Sequence, residues 1–386
     1  MIIVTPPKWR LLILFAIAFA ATWAIFKPTL RIALSKGIVD NPEARKLQKR
    51  PIPILGGVVI FFGIAVGLMF FKTMFYQTAL LPVLAAMVAM LYVGTIDDIL
   101  NIKPAVRLLI EVGVALLLIY GSKSCILNFQ GLWGIRRLAL GWSVPLTILT
   151  VVGLVNAINM IDGVDGLLSG FGIFICSCFG LLCFLAHDYS NAALAAVTVG
   201  SLCTFFIHNV FGDKSKMFLG DGGSMLLGIV VSWMVISILG GHFHLFKYAG
   251  WLDGLSLIAF TLAVVAIPVA DTLRVMFTRI LHGKSPFMPD NNHFHHLILR
   301  HGLSHFGTTL VMLGLALLIF AVFIASWKMG ASTAWQLYTV IFFAVLVDAG
   351  GAVLLNRLPE KERTSSDTDC PRLPNRFKKM IDNGFE

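Results

Sequence analysis

The chain has 386 residues, 58% hydrophobic and 13% charged, with a formal net charge of +10 and a mean hydropathy of +0.86. A soluble globular protein carries about a quarter charged residues, so this composition excludes a water-soluble domain and points to a bilayer as the solvent. In that setting the basic excess reads as membrane topology and contact with bilayer lipids, and not as nucleic-acid binding.

The first apolar run, LLILFAIAFAATWAIF, follows Lys8 and Arg10 and leads directly into a basic segment. It lacks a small-residue cleavage site and reads as an uncleaved span. Stretches near the ~20 residues a bilayer requires then recur to the end of the chain. Their cores lie at 9–27, 54–72, 79–96, 105–121, 142–160, 166–186, 192–210, 222–240, 254–276, 307–326 and 333–354. The expected fold is therefore all-α and polytopic, with about eleven transmembrane helices. Residues 1–354 form one membrane domain, and 355–386 a polar cytoplasmic tail.

Lysine and arginine set the expected orientation. They crowd the segment after the first span (Lys27, Arg31, Lys36, Arg45, Lys46, Lys49, Arg50), the loop after the ninth (Arg279, Lys284, Arg300) and the tail. The N-terminus is then outside and the C-terminus cytoplasmic. The six cysteines (Cys125, Cys176, Cys178, Cys183, Cys203, Cys370) show no metal-type spacing and no disulfide framework.

The unusual polar residues share one placement. Asp97 and Asp98 close the third span, and Asn156, Asn159, Asp162 and Asp165 close the fifth in NAINMIDGVDGL. Asp221 follows the seventh in FLGDGGSMLLG, and His293, His295 and His296 follow the ninth in PDNNHFHH. Each group lies at the cytoplasmic end of an odd-numbered span. Carboxylates cost roughly 2.5–3.5 kcal/mol each at a helix centre in hydrocarbon, so they persist when they pair, coordinate or react. Adjacent Asp97 and Asp98 repel, so one is protonated unless a cation, a metal or a basic side chain, lies near; a solvated pair at the interface is the alternative. NAINMIDGVDGL has neither the spacing nor the closing glutamate of a calcium EF-hand. The histidines lack the spacing of a helical zinc pair and lie too near a span end for haem. His208, at the end of the seventh span, reads as an ordinary interfacial residue. Hard oxygen ligands with a basic and imidazole rim suit magnesium and phosphoryl chemistry at the membrane boundary. A transporter would place its ionisable groups near the midplane; here the spans are nearly free of charge, with Glu111, Asp271, Arg274 and Asp348 as exceptions.

Five segments in order, DNPEARKLQKRPIPILGG, GTIDDIL, NAINMIDGVDGL, FLGDGGSMLLG and SPFMPDNNHFHH, resemble the polyprenyl-phosphate N-acetylhexosamine-1-phosphate transferases. The resemblance runs from about Asp40 to His305 and is nearest to the bacterial branch acting on undecaprenyl phosphate and UDP-GlcNAc. It implies transfer of N-acetylglucosamine 1-phosphate to undecaprenyl phosphate with release of UMP, at the cytoplasmic face of the bacterial inner membrane. It implies Mg2+, with Mn2+ as a substitute, as the first membrane step of a lipid-linked surface polysaccharide. Carried over by position, Asp221 and Asn159 become metal ligands. Asp97 becomes the base or orienter for the lipid phosphate, with Asp98 beside it, and Asp162 and Asp165 organise the nucleotide or the metal surroundings. Asn156, Phe218, His293, His295, His296, Lys49 and Arg45 become nucleotide or phosphate contacts. Gln48 and Asn291 depart from the pattern, where relatives often carry His and Arg. The phospho-MurNAc-pentapeptide transferase branch and a non-enzymatic lipid-linked-sugar transporter are the alternatives. One-step and covalent routes, and the oligomeric state, a homodimer included, stay open.

Overall fold

The structure, a computed structural model, describes residues 9–40, 51–71, 80–212, 215–241, 243–286, 292–359 and 381. Its spans are α1 (Trp9–Lys36), α2 (Gly56–Met69), α3 (Leu80–Leu100), α4 (Pro104–Ser122), α5 (Leu140–Met160), α6 (Leu167–Leu185), α7 (Tyr189–Phe211) and α8 (Gly220–Leu239). A short α9 (Leu245–Tyr248) precedes α10 (Leu257–Val264) and α11 (Ala266–Leu281), and α12 (Phe294–Arg300) leads to α13 (His305–Lys328). The last span joins α14 (Thr333–Val345), a π-helical turn (Leu346–Gly350) and α15 (Gly351–Arg357). Among the described residues nine helices are long and apolar enough to cross a membrane, and the pair α10–α11, bent by 72°, makes a tenth. The protein is a multi-pass membrane protein. All eleven cores expected from the sequence fall on apolar helices, α2 being the short one at 14 residues.

Local chemistry explains the helix starts. Pro104 occupies the first turn of α4, where its missing N–H costs nothing. Ser256, Ser304 and Ser332 each accept a hydrogen bond from the backbone three residues on, capping α10, α13 and α14. Two small antiparallel pairs interrupt the helical architecture: β1 (Val39–Asp40) with β2 (Ile52–Pro53), and β3 (Asn128–Leu132) with β4 (Ile135–Arg137).

The centre of the bundle is α8. In its apolar stretch 94% of residues are buried inside the protein, against 22% for α1. It packs between α3 and α5 with α2 alongside. Helices in lipid gain little from the hydrophobic effect and rely on close backbone approach. A methyl group at Gly94 of α3 would collide with the Asp221 carbonyl, and one at Gly57 of α2 with the Gly223 amide. That contact brings the C-terminal end of α3 against the N-terminal end of α8, which positions the site. His208, in the last turn of α7, is enclosed by protein. It is fully buried, stacked on Phe26 at 4.1 Å and beside Trp23 at 4.6 Å.

Candidate active site

Asp97 and Asp98 end α3 and point to different partners. Asp98 Oδ1 accepts the Asp221 N–H (3.1 Å) and Oδ2 lies 3.5 Å from the Gly222 N–H. It thus caps α8 from a neighbouring helix, where the helix dipole favours a negative charge. Gly220 makes this possible: its φ is +72°, and a methyl there would lie 2.6 Å from Asp98 Oδ2 and 2.7 Å from the Ile54 carbonyl. The segment before α8 is itself clamped. Phe218 N–H donates to the Pro53 carbonyl (2.8 Å), and the Phe218 carbonyl accepts from Gly56 N–H (3.1 Å). Phe218 is half-buried there.

Asp97 lies beside the Asp221 carboxyl and turns to the start of α4. Its Oδ1 accepts the Ile102 N–H (2.7 Å) and its Oδ2 accepts from Arg107 Nη1 (3.3 Å). Arg107 is the hub of the site. Its Nε donates to Glu111 Oε1 (3.1 Å), and its Nη2 donates to Asn156 Oδ1 (3.3 Å) and Asn159 Oδ1 (3.1 Å). Its Nη1 also lies 3.9 Å from Asp221 Oδ2. Asn156 returns a hydrogen bond to Glu111 Oε2 (2.5 Å). Asn159 Nδ2 donates to Asp221 Oδ1 (2.9 Å) and Ser224 Oγ (2.7 Å). Thus α3, α4, α5 and α8 meet through one guanidinium. The cation required beside Asp97 is a side chain, and sequence reasoning missed it. The signal was present: Arg107 and Glu111 stand four apart in the first turns of an otherwise apolar span, the spacing of a helical ion pair.

The loop after α5 divides its two carboxylates. Asp162 is half-buried and takes no hydrogen bond or ion pair among the described residues. Burial, then the charges of Asp221, Asp98 and Asp165, push its carboxyl well above the ordinary value. Asp165 faces away, paired through Oδ2 with Lys216 and with His305 Nδ1 (2.8 Å), while Thr309 Oγ1 donates to its carbonyl (3.0 Å). Burial works to raise its pKa, but the His305 hydrogen bond and the Lys216 charge outweigh it and hold the carboxyl below its usual value. Asp165 therefore anchors the loop and stands apart from the Arg107 cluster. Lys216 and His305 were not singled out as functional in the sequence, because an isolated loop lysine carries no pattern.

The histidine segment docks on this loop. His295 is completely buried, and a methyl at Gly163 would sit 2.7 Å from its Nε2. Burial, then the neighbouring His296 charge, pushes its pKa well below the ordinary value. The ring lies between the loop and His296, whose ring centroid is 4.3 Å away, and neither of its nitrogens has a hydrogen-bond partner among the described residues. His296 is half-buried. His293 is held through Nδ1 by Asp271 Oδ2 at 2.9 Å, the arrangement that fixes a ring's orientation and leaves Nε2 for another partner. Arg45, Lys49, Gln48 and Asn291 lie outside the described residues.

Among the described residues no three His, Cys, Asp or Glu side chains converge closely enough to hold a metal ion by themselves. Magnesium does not ask for that. It binds through one or two carboxylates and keeps waters and substrate phosphates as its remaining ligands. Asp221, with a side chain 36% exposed, and the unpaired Asp162 offer such a donor set. The repulsion that raises the Asp162 carboxyl is of the kind a bound cation relieves. Asn159 is turned with its amide nitrogen toward Asp221, so here it bridges Arg107 to Asp221.

Residues 80–239 match the model of the family described as Glycosyl transferase family 4. The chain is 29% identical over 348 residues to a Bacillus subtilis (strain 168) protein named "Probable undecaprenyl-phosphate N-acetylglucosaminyl 1-phosphate transferase", covering 89% of this chain and 93% of that one. It is also 29% identical to the undecaprenyl-phosphate alpha-N-acetylglucosaminyl 1-phosphate transferases of Salmonella typhi and Escherichia coli (strain K12). Those similarities extend over 71% and 75% of this chain and 72% and 76% of the relatives.

Proposed function

We propose that this chain, whose residues 80–239 match glycosyl transferase family 4, transfers N-acetylglucosamine 1-phosphate from UDP-GlcNAc to undecaprenyl phosphate. The products are undecaprenyl-pyrophosphoryl-GlcNAc and UMP. The observation that carries the reading is the meeting of Asp97, Asn156, Asn159 and Asp221, from three helices, around Arg107 at one end of the bundle, with Asp98 holding the Asp221 N–H. A site at the end of the spans is where a lipid phosphate and a water-soluble nucleotide-sugar can both arrive. The crowding of lysine and arginine on the connections at that end supports a cytoplasmic face, in the inner membrane of a bacterium.

A lipid phosphate oxygen attacks the β-phosphorus of the donor and UMP leaves. A phosphate monoester loses its second proton with a pKa of about 6 and is mostly dianionic at neutral pH, so little general-base help is required. Both oxygens of Asp97 are already engaged, by Ile102 N–H and by Arg107, which suits an orienting role and not proton abstraction. Asp98 holds the start of α8, and with it Asp221, against α3. Magnesium, held by Asp221 and Asp162 with Asn159 beside them, would neutralise charge on the diphosphate and on the leaving UMP. His293, oriented by Asp271, and the half-buried His296 supply the rim that binds the diphosphate.

The test uses the purified chain in detergent with UDP-GlcNAc, undecaprenyl phosphate and magnesium. Magnesium-dependent UMP release, abolished by EDTA and absent with UDP-MurNAc-pentapeptide, is expected. No UMP release from UDP-GlcNAc would refute the reading.

A further inference from the structure

A second set of buried charges spans α11, the histidine segment and the last span. Asp271 of α11 is fully buried. Its Oδ1 accepts from the Phe294 N–H (2.9 Å) and from Arg274 Nη2 (2.6 Å), and its Oδ2 faces His293 Nδ1 at 2.9 Å. Arg274 reaches further in both directions. Its Nη2 also donates to the Asn292 carbonyl (3.0 Å), and its Nε donates to Asp348 Oδ2 (2.8 Å). Asp348 is 1% exposed and sits in the π-helical turn that interrupts the last span. Turns of that kind are rare and concentrate at functional sites. The same helix makes a second contact just beyond. A methyl at Gly351 would lie 2.7 Å from the Phe294 ring.

Two carboxylates around one guanidinium are a costly way to join helices, since apolar packing serves as well or better. The charges do something that apolar side chains cannot. They fix the Asn292 carbonyl, the Phe294 N–H and a ring nitrogen of His293 in one arrangement. Both Arg274 and Asp348 lie outside residues 80–239, where the family model matches.

We propose that Arg274 and Asp348 are positioning residues for the nucleotide-sugar: through Asp271 they set the His293 ring, so the last span controls how the donor diphosphate is held. This inference rests on the reading of the site as one for a nucleotide-linked sugar. The pair touches no substrate and acts through His293.

Asp348→Asn, Arg274→Met and the double variant, made in the full chain, test it by UMP release with each substrate varied in turn. Coupled groups of this kind change equilibria by several-fold to about a hundredfold. Each single variant should raise the KM for UDP-GlcNAc about tenfold, with the KM for undecaprenyl phosphate within about twofold of wild type. The double variant should be no worse than Arg274→Met, because it removes the carboxylate that Arg274→Met strands. Gly351→Ala presses on Phe294 without altering a charge and should shift the donor KM in the same direction. A purely structural pair would lower the melting temperature and leave both KM values alone, and that result overturns the proposal. If Arg274→Met does not fold, Asp348→Asn and Gly351→Ala decide by the same criterion. A second readout needs no turnover: with nitrogen-15 histidine, the His293 ring resonances should move in Asp348→Asn. Movement of the His293 resonances in Asp348→Asn, with no turnover of UDP-GlcNAc by the wild-type protein, defeats the functional reading alone. Turnover with an unmoved His293 and an unchanged donor KM defeats the positioning role.

Discussion

Replacing Arg107 with methionine keeps most of the side chain's length and removes its charge. The side chain is 17% exposed, and its ion-pair partners Asp97 and Glu111 have side chains 10% and 1% exposed. Removing one member of a buried pair costs about 3–5 kcal/mol because the other charge is stranded. Here Asp97 keeps the Ile102 N–H and Glu111 keeps the Asn156 amide, so the low end, about 3 kcal/mol, applies. If the same free energy holds Asn159 and Asp221 in register, turnover falls about a hundredfold, at roughly 1.4 kcal/mol per factor of ten. Arg107→Lys retains a charge but not the planar fork that reaches four acceptors, and should lose about tenfold. UMP release and the melting temperature in detergent are the assays. Arg107→Met with turnover within about threefold of wild type and an unchanged melting temperature would show that the guanidinium does not hold the site together.

Asp221→Asn preserves an oxygen for the Asn159 amide while removing a charge, so it should leave the melting temperature intact and lower turnover by about 10²–10³. Unaltered UMP release across a magnesium titration would remove Asp221 from the ion's surroundings. Gly220→Ala forces a side chain into left-handed backbone, at about 1–2 kcal/mol, and into Asp98; thermal unfolding should occur at lower temperature and turnover should drop with it. The depressed carboxyl of Asp165 sets a pH dependence. A folded-state pKa below the unfolded one gives stability that is present above the unfolded value and lost as pH falls through the folded value. Thermal stability should therefore hold from neutral pH into the ordinary carboxylate range and decline below it. In Lys216→Met that decline should begin at higher pH, as read by melting curves across acidic buffers.

Apolar runs are dense enough in this chain that the membrane-length segments could be placed without a structure, though not the short α9 and α12 or the 72° bend between α10 and α11. The gathering of Asp97, Asn159 and Asp221 was also legible, because carboxylates and amides in such runs demand an explanation. Arg107 was not, since a single arginine near a span start looks like an interfacial anchor. Its role exists only once α4 lies against α3 and α5. The fate of Asp165 was likewise invisible. Two aspartates three residues apart look alike in sequence, and only the approach of Lys216 and His305 turns one of them away. The burial of His295 and His208 was invisible for the same reason. A histidine beside polar residues reads as reachable until aromatic rings or a glycine loop close over it.

The near-complete enclosure of α8 separates the chemistry from the mechanics of the lipid. Helices such as α1, bathed in acyl chains, tilt or slide when the bilayer thins or thickens. Asp221 rides on a helix whose depth is set by protein neighbours at Gly94 and Gly57. Turnover should then vary little among vesicles of different acyl-chain length, provided the lipid acceptor is equally soluble in each. The enzyme would carry its own fixed datum through a membrane whose thickness is not constant.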